Sequence, residues 1–259
     1  MSLPVLIALA LNIGIALSYI GLWIVAARDN LLWRSDFSAY YTGGAIVRHG
    51  LGSRLYDLDL QASYQQDFLA GESFSQGVLP FNSPPHLALL VAPLTRLSYS
   101  QAFFVWTFFQ LLLLAGLTAL LLRLTHNWQP QERWLTITAC LALPGLLRGF
   151  LLGAFPLLML ICLLGWYKAH KNNGDFLAGL WLIIGAVRPQ ILVCPSIASV
   201  IGRRWKTILV GVLGGLAIVA VCGITLGWKI WPDFIERLLA SGNYFDEYGI
   251  DPASMYNFK

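Results

Sequence analysis

Apolar residues dominate this chain in long runs broken by short polar turns, an alternation of spans and connections that gives no soluble domain. The first run, 3–27, exceeds the roughly 7 to 15 residues of a signal-peptide core and lacks a basic leader, so it predicts a retained transmembrane helix. The least hydrophobic part of the chain follows over 28–85, with Asp36, Asp57, Asp59, Asp67 and Glu72 among many Tyr, Ser and Gln. Apolar character resumes at 86–124, which is longer than the roughly 20 residues one span needs and is broken by Pro93, Arg96 and Ser98. Either 86–97 is a short interfacial or re-entrant helix before one span near 102–122, or it crosses by itself. Further spans are predicted near 134–147, 150–166, 176–187, 190–201 and 207–227, giving roughly seven crossings with several short enough to need tilt or local thinning. From Trp228 to Lys259 the sequence is aromatic and polar, and the pattern predicts no helix there and a chain that is C-terminally incomplete.

Composition turns this pattern into a class. Of 259 residues 57% are hydrophobic and only 12% charged, against roughly a quarter charged in an ordinary globular domain. A soluble fold and a disordered chain are both excluded. The expectation is a single all-α membrane domain over 1–259, a polytopic transmembrane helical bundle with an outer juxtamembrane loop at 28–85.

Charge then sets the orientation. The 17 Lys and Arg are scattered between apolar runs and form no basic stripe with interleaved aromatics, so nucleic acid is discounted as a partner. They act as topology determinants. If 86–97 does not cross, Arg123/Arg133, Lys168/Lys171 and Arg203/Arg204/Lys206 all fall on the side of the N-terminus, which the positive-inside rule makes the cytoplasm. The non-crossing version is therefore preferred. It places the long loop, the turn at Arg148, the turn at Arg188-Pro189-Gln190 and the stretch from Trp228 on the outer face of the cell (inner) membrane. Cys140, Cys162, Cys194 and Cys222 lie far apart in apolar sequence without ligand spacing, and read as small lipid- or core-facing residues.

Few residues are placed to do chemistry. Asp36 follows the first span by about nine residues and could act as a general base on a hydroxyl; the alternative is that it N-caps a juxtamembrane helix through Tyr40, Tyr41 and Ile46. In Phe81-Asn82-Ser83-Pro84-Pro85-His86 two prolines set a rigid extended approach, and His86 could bond a phosphate or sugar hydroxyl, or only water. Arg188 interrupts two short apolar halves; a membrane-embedded cation there suits a phosphate, with snorkelling to the headgroups as the alternative. Arg148, after Pro144-Gly145, reads more simply as a snorkelling residue. Asp57-x-Asp59 without further spaced oxygens is weak as a metal site, and a solvated amphipathic helix is the better reading. Phosphate-binding loops, dinucleotide fingerprints and nucleophile elbows are absent from the sequence.

Taken in order, D-F-x-x-Y-Y-x-x-G from Asp36, L-Y-D at Leu55-Tyr56-Asp57, F-N-S-P-P-H-L-A-L-L from Phe81 and the basic-Pro-Gln turn at Arg188 give a chain that resembles glycosyltransferase family 87 over 3 to about 204. The resemblance implies a GT-C-type membrane enzyme. It would move a hexose, mannose first, from a polyprenyl phosphate carrier to a lipid or glycan acceptor on the outer face, by inversion and without a nucleotide sugar, and no cofactor or metal ligand set is expected. It makes Asp36 the base and the Arg188-Pro189-Gln190 turn the phosphate contact, with His86 standing where that family is usually apolar; His86, Tyr40, Tyr41 and Arg148 are added from their own positions as candidate substrate-binding residues among membrane lipids. Where that family often has Gly-Gln, this chain has Gly153-Ala154. The competing expectations are a lipid or small-molecule transporter and a catalytically inactive assembly subunit.

Overall fold

A computed structural model describes residues 3–28, 35–69 and 78–240. Among them the chain is all-α: α1 Leu3–Arg28, α2 Phe37–Arg48, α3 Leu58–Leu69, α4 Pro85–Val91, α5 Tyr99–Leu124, α6 Pro130–Leu141, α7 Pro144–Leu152, α8 Pro156–Lys171, α9 Asp175–Gly185, α10 Val193–Ile201, α11 Trp205–Leu226 and α12 Ile230–Ala240. Short 3-10 turns at Gly52–Arg54, Ala92–Arg96 and Pro189–Leu192 link some of them. This is the polytopic helical bundle that the apolar runs predict.

The span count is lower than the runs suggest. Among the described residues, only α1, α5 and α11 are each long and apolar enough to cross a membrane, with α6 and α7 a fourth if that pair, bent by 42°, acts as one span. Pro144 is the physical reason for the bend: it opens α7, where its missing N–H is harmless, and ends the hydrogen-bond ladder of α6. The halves α9 and α10 are 11 and 9 residues long, about 16 and 14 Å at 1.5 Å per residue, so neither reaches across the roughly 30 Å core. Two further expectations are corrected. Arg148 is not at a turn but inside α7, because the helix runs on to Gly153, whose left-handed φ of 72° closes it. The stretch after Trp228 does form a helix, α12, whose Ile230 and Phe234 face inward one turn apart.

The chain divides into two compact units. In the unit of Met1–Ser35 and Phe103–Gly215, the core is built by Leu117 and Leu121 of α5, Ile137 of α6, Leu146 of α7 and Leu157 of α8. α8 packs along α9, and α1 lies on α6 and α7. There Asn12 Nδ2 donates to Thr138 Oγ1 at 3.2 Å, which satisfies two polar groups inside apolar sequence.

In the unit of Asp36–Ala102 and Leu216–Lys259, α2 packs on α3, on α4 and on the 3-10 turn that follows α4. The pair Gly43-Gly44 makes this approach possible. A Cβ on Gly43 would sit 2.8 Å from the ring of Phe81, and one on Gly44 3.0 Å from the Val91-Ala92 backbone. α3 is not simply a solvated helix, because Gln61 and Gln65, one turn apart, are buried. Gln61 donates to Leu55 O at 2.7 Å and accepts from Phe81 N at 2.8 Å; Gln65 donates to Leu79 O at 2.7 Å and accepts from Leu79 N at 2.9 Å. Gln65 thus uses a donor and its acceptor on the segment leading into Pro84-Pro85, and Gln61 ties that segment to Leu55.

Candidate functional site

The basic-Pro-Gln turn is formed because Pro189 forbids the preceding residue a helical conformation. Arg188 is extended, with φ −132° and ψ 82°, three residues after α9 ends at Gly185. Its N–H donates to Gly185 O at 3.0 Å and its carbonyl accepts from Ile191 N at 3.1 Å, so the turn is anchored on both sides. In the same unit the α7–α8 connection is fixed from α5: Trp106 Nε1 donates to Gly153 O at 2.8 Å, and its ring meets that of Phe155 edge-on at 5.2 Å.

These two connections converge. A cavity of about 340 Å³ is lined by Ala154, Phe155, Pro156 and Met159 from one side and by Arg188, Gln190 and Ile191 from the other. Phe155 and Met159 are buried and Arg188 is half-buried. A guanidinium beside apolar walls, with a primary amide two residues on, can hold a phosphate through planar paired donors in a medium where charge is weakly screened. Ala154 lines this cavity at the position where the sequence departs from Gly-Gln. Arg148, on α7, is not among the lining residues. Among the described residues, no three His, Cys, Asp or Glu come together as a metal site.

The other sequence-predicted residues lie in the second unit. Asp36 occupies the N-cap position of α2, and its carbonyl accepts from Ala39 N and Tyr40 N at 3.1 and 3.4 Å. Its side chain makes no capping hydrogen bond. The residue is half-buried. Tyr40 is buried. Tyr41 donates its hydroxyl to Leu97 O at 2.8 Å and packs edge-on against Phe68 and Tyr99, with ring centroids 5.4 and 5.3 Å away. Burial pushes the Tyr41 hydroxyl up from its ordinary range, so it stays a donor.

The two remaining motifs meet each other. Tyr56 of L-Y-D donates to Ser83 O at 2.8 Å and stacks beside Phe81 and Phe234; burial, with Cys222 and Asp233 nearby, raises its hydroxyl pKa. Asp57 accepts from Leu60 N at 3.1 Å, starting α3, and pairs with Arg54 at 2.6 Å. Both contacts, the helix N–H first, hold its carboxyl below the usual range. Asp57 is thus a cap rather than a metal ligand. Glu72 and residues 29–34 lie outside the described residues.

His86 sits in the first turn of α4 with both ring nitrogens buried and without a hydrogen-bond partner. Burial pushes its pKa down from 6.5 to about 4, so the ring is neutral at pH 7. Folding is favoured while His86 is neutral in both states, and that contribution drains away as pH falls from about 6.5 towards 4, where the unfolded chain takes up a proton first. We expect His86→Leu to raise stability at neutral pH by about 1–3 kcal/mol, the cost of an unmet buried polar group. It should also flatten the loss of stability between about pH 6.5 and 4. Thermal melts of both forms across that range check this.

Sequence reasoning missed Trp106, Gln61 and Gln65. Only the one-turn spacing of the two glutamines could have flagged them. Comparison with known proteins matches glycosyltransferase family 87 to residues 81–255, a stretch that contains His86, Arg148, Arg188 and Gln190 and begins after Asp36, Tyr40 and Tyr41. No curated protein and no solved structure matches the chain. With more than half of its length covered and a helical bundle built to cross a bilayer, the chain belongs to glycosyltransferase family 87 and is a membrane glycosyltransferase.

Proposed function

We propose that this protein is an inverting GT-C-type enzyme that transfers a hexose, with mannose the first candidate, from a polyprenyl phosphate to a hydroxyl of a lipid or glycan acceptor. The reaction takes place on the outer face of the cell membrane. The observation that carries this reading is the cavity in which Arg188 and Gln190 face Ala154 and Phe155. A phosphate-matching cation in an apolar pocket suits a donor whose leaving group is a lipid-linked phosphate better than it suits a nucleotide sugar.

The acceptor oxygen forms a bond to the anomeric carbon as the bond from that carbon to the phosphate oxygen breaks. Asp36 takes the hydroxyl proton, and the phosphate leaves with the bonding pair, stabilised by Arg188. Tyr40 and Tyr41 are assigned to the sugar and the lipid–water boundary, and the helix from His86 to the carrier's prenyl groove. Arg148 is left a peripheral phosphate contact.

Membranes containing the full chain, given radiolabelled polyprenyl-phosphate mannose and a host lipid extract, should form a labelled product of inverted anomeric configuration. Failure with every polyprenyl-phosphate sugar and every acceptor fraction, or uptake of label without a new bond, would overturn the reading, the second outcome in favour of transport.

A further inference from the structure

Away from the cavity, the unit of Met1–Ser35 and Phe103–Gly215 brings two helix ends together. α8 closes at Asn172 and α10 at Gly202. Each is followed by a left-handed residue that is not glycine, Asn173 at φ 57° and Arg203 at φ 53°. Both ends carry the paired hydrogen bonds of a Schellman closure: Asn173 N to His170 O and Gly174 N to Ala169 O, then Arg203 N to Val200 O and Arg204 N to Ser199 O. Asparagine tolerates this conformation, whereas an arginine there is strained, and glycine is the usual occupant. Here the glycine stands one residue early, at Gly202.

The two turns are tied to each other. Arg204 reaches Asn173 Oδ1 at 2.5 Å and Asp175 at 3.4 Å, and Thr207 Oγ1 donates to Asp175 O at 3.1 Å. Asp175 is the carboxylate of this junction, and Arg204 engages it. Lys168, Lys171, Arg203 and Lys206 remain, with no carboxylate at ion-pair distance among the described residues. Lys171, Arg203 and Lys206 are exposed. Directly below, Lys206 shares a surface groove with Trp205, Ile208, Leu209 and Val212 of the spanning helix α11. Of these, Trp205, Leu209 and Val212 recur at helical spacing on one face and are 64%, 57% and 52% exposed.

We propose that this junction binds the headgroup of an anionic phospholipid, with an acyl chain along the Trp205, Leu209 and Val212 face of α11. Four cations without carboxylate partners call for an anion. The apolar stripe beneath them calls for an anion that carries a hydrocarbon chain, and a soluble phosphate would leave that stripe unused. Arg203 keeps a strained backbone where glycine would relax it, as expected of a side chain retained for a contact outside the protein.

The full chain, extracted from bilayers of equal phosphatidylglycerol and phosphatidylcholine, is examined for retained lipid by native mass spectrometry. Wild type should retain phosphatidylglycerol with a preference on the order of 25-fold, and the double variant Arg203→Gly/Lys206→Gln should bring the preference to within about twofold, at about fivefold lost per surface cation. Arg203→Gly alone removes the left-handed strain and should melt no lower than wild type in detergent, which separates lost binding from lost folding. A second measurement needs no substitution: phosphatidylglycerol should raise the wild-type melting temperature above its value in phosphatidylcholine. Equal retention of both lipids by wild type, an unchanged preference in the variant, or displacement of the lipid by inorganic phosphate would each overturn the proposal, the last in favour of a soluble anion.

Discussion

Replacing Asp36 by Asn should lower turnover by about 10²- to 10⁴-fold, the range of a lost general base, with little change in apparent donor affinity. The choice of Asn separates two readings of this residue. Aspartate and asparagine are equally good N-caps, so if Asp36 served only to start α2 the substitution would be silent, whereas Ala would cost about 1 kcal/mol of stability. The geometry already points away from capping, since Asp36 stands at the N-cap position with no side-chain bond to the helix N–H groups. Asn preserves volume and hydrogen-bonding capacity but cannot take a proton. Product formation by Asp36→Asn and Asp36→Ala, measured with labelled donor alongside their thermal melts, checks this. Both should be slow, and Asn should melt as wild type does. Wild-type turnover in the Asn form would remove the base assignment.

How far the sequence could be read depended on the physical scale of the feature. α1, α5 and α11 were legible because length and apolar content alone decide whether a helix can cross a bilayer. The region between them was misread at its breaks. Arg148 looks like a turn residue in sequence, yet its helix ends only at Gly153. What fixes that end is packing: a Cβ on Gly149 would fall 2.0 Å from the Pro156 ring, and Trp106 holds the Gly153 carbonyl. The second contact joins residues 47 apart in sequence. α12 was missed because Pro232 reads as a helix breaker in an aromatic, polar stretch, although proline is tolerated in a first turn such as the one it occupies.

The same distinction runs through the site. Arg188 was legible because a cation before proline, between two apolar halves, is costly to place and is held extended by the proline itself. That Ala154 and Phe155 face it across a cavity was not, since this depends on how the α7–α8 and α9–α10 connections come together in space. Gln61 and Gln65 fall in a stretch that reads in sequence as a solvated amphipathic helix, and glutamine is usually exposed. Only the fold reveals that each amide both donates to and accepts from buried backbone groups, at Leu55 and Phe81 for Gln61 and at Leu79 for Gln65. The orphaned nitrogens of His86 are equally invisible in sequence, because burial without a partner is a property of the packed state.

Arg188 offers the second large effect. Substitution by Gln should lower turnover by about 10²- to 10³-fold, the loss expected when a preorganised group stabilising developing charge is removed. Lys keeps the charge but not the planar fork, and should fall between the two, because a single ammonium cannot engage two phosphate oxygens in fixed geometry. Snorkelling predicts the opposite ranking of observables. An arginine that only reaches for headgroups would be replaced by Lys without kinetic loss, and Gln would change membrane insertion or melting rather than turnover. The backbone is expected to tolerate both substitutions, since the extended conformation at this position is imposed by Pro189 and by the bonds to Gly185 and Ile191, none of which involves the side chain. Turnover at saturating donor, donor concentration dependence and thermal melts of the three forms therefore decide the role. A loss confined to turnover in Gln, partly recovered in Lys at unchanged stability, assigns Arg188 to the departing phosphate; full turnover in Lys with a lower melting temperature in Gln assigns it to the headgroups instead.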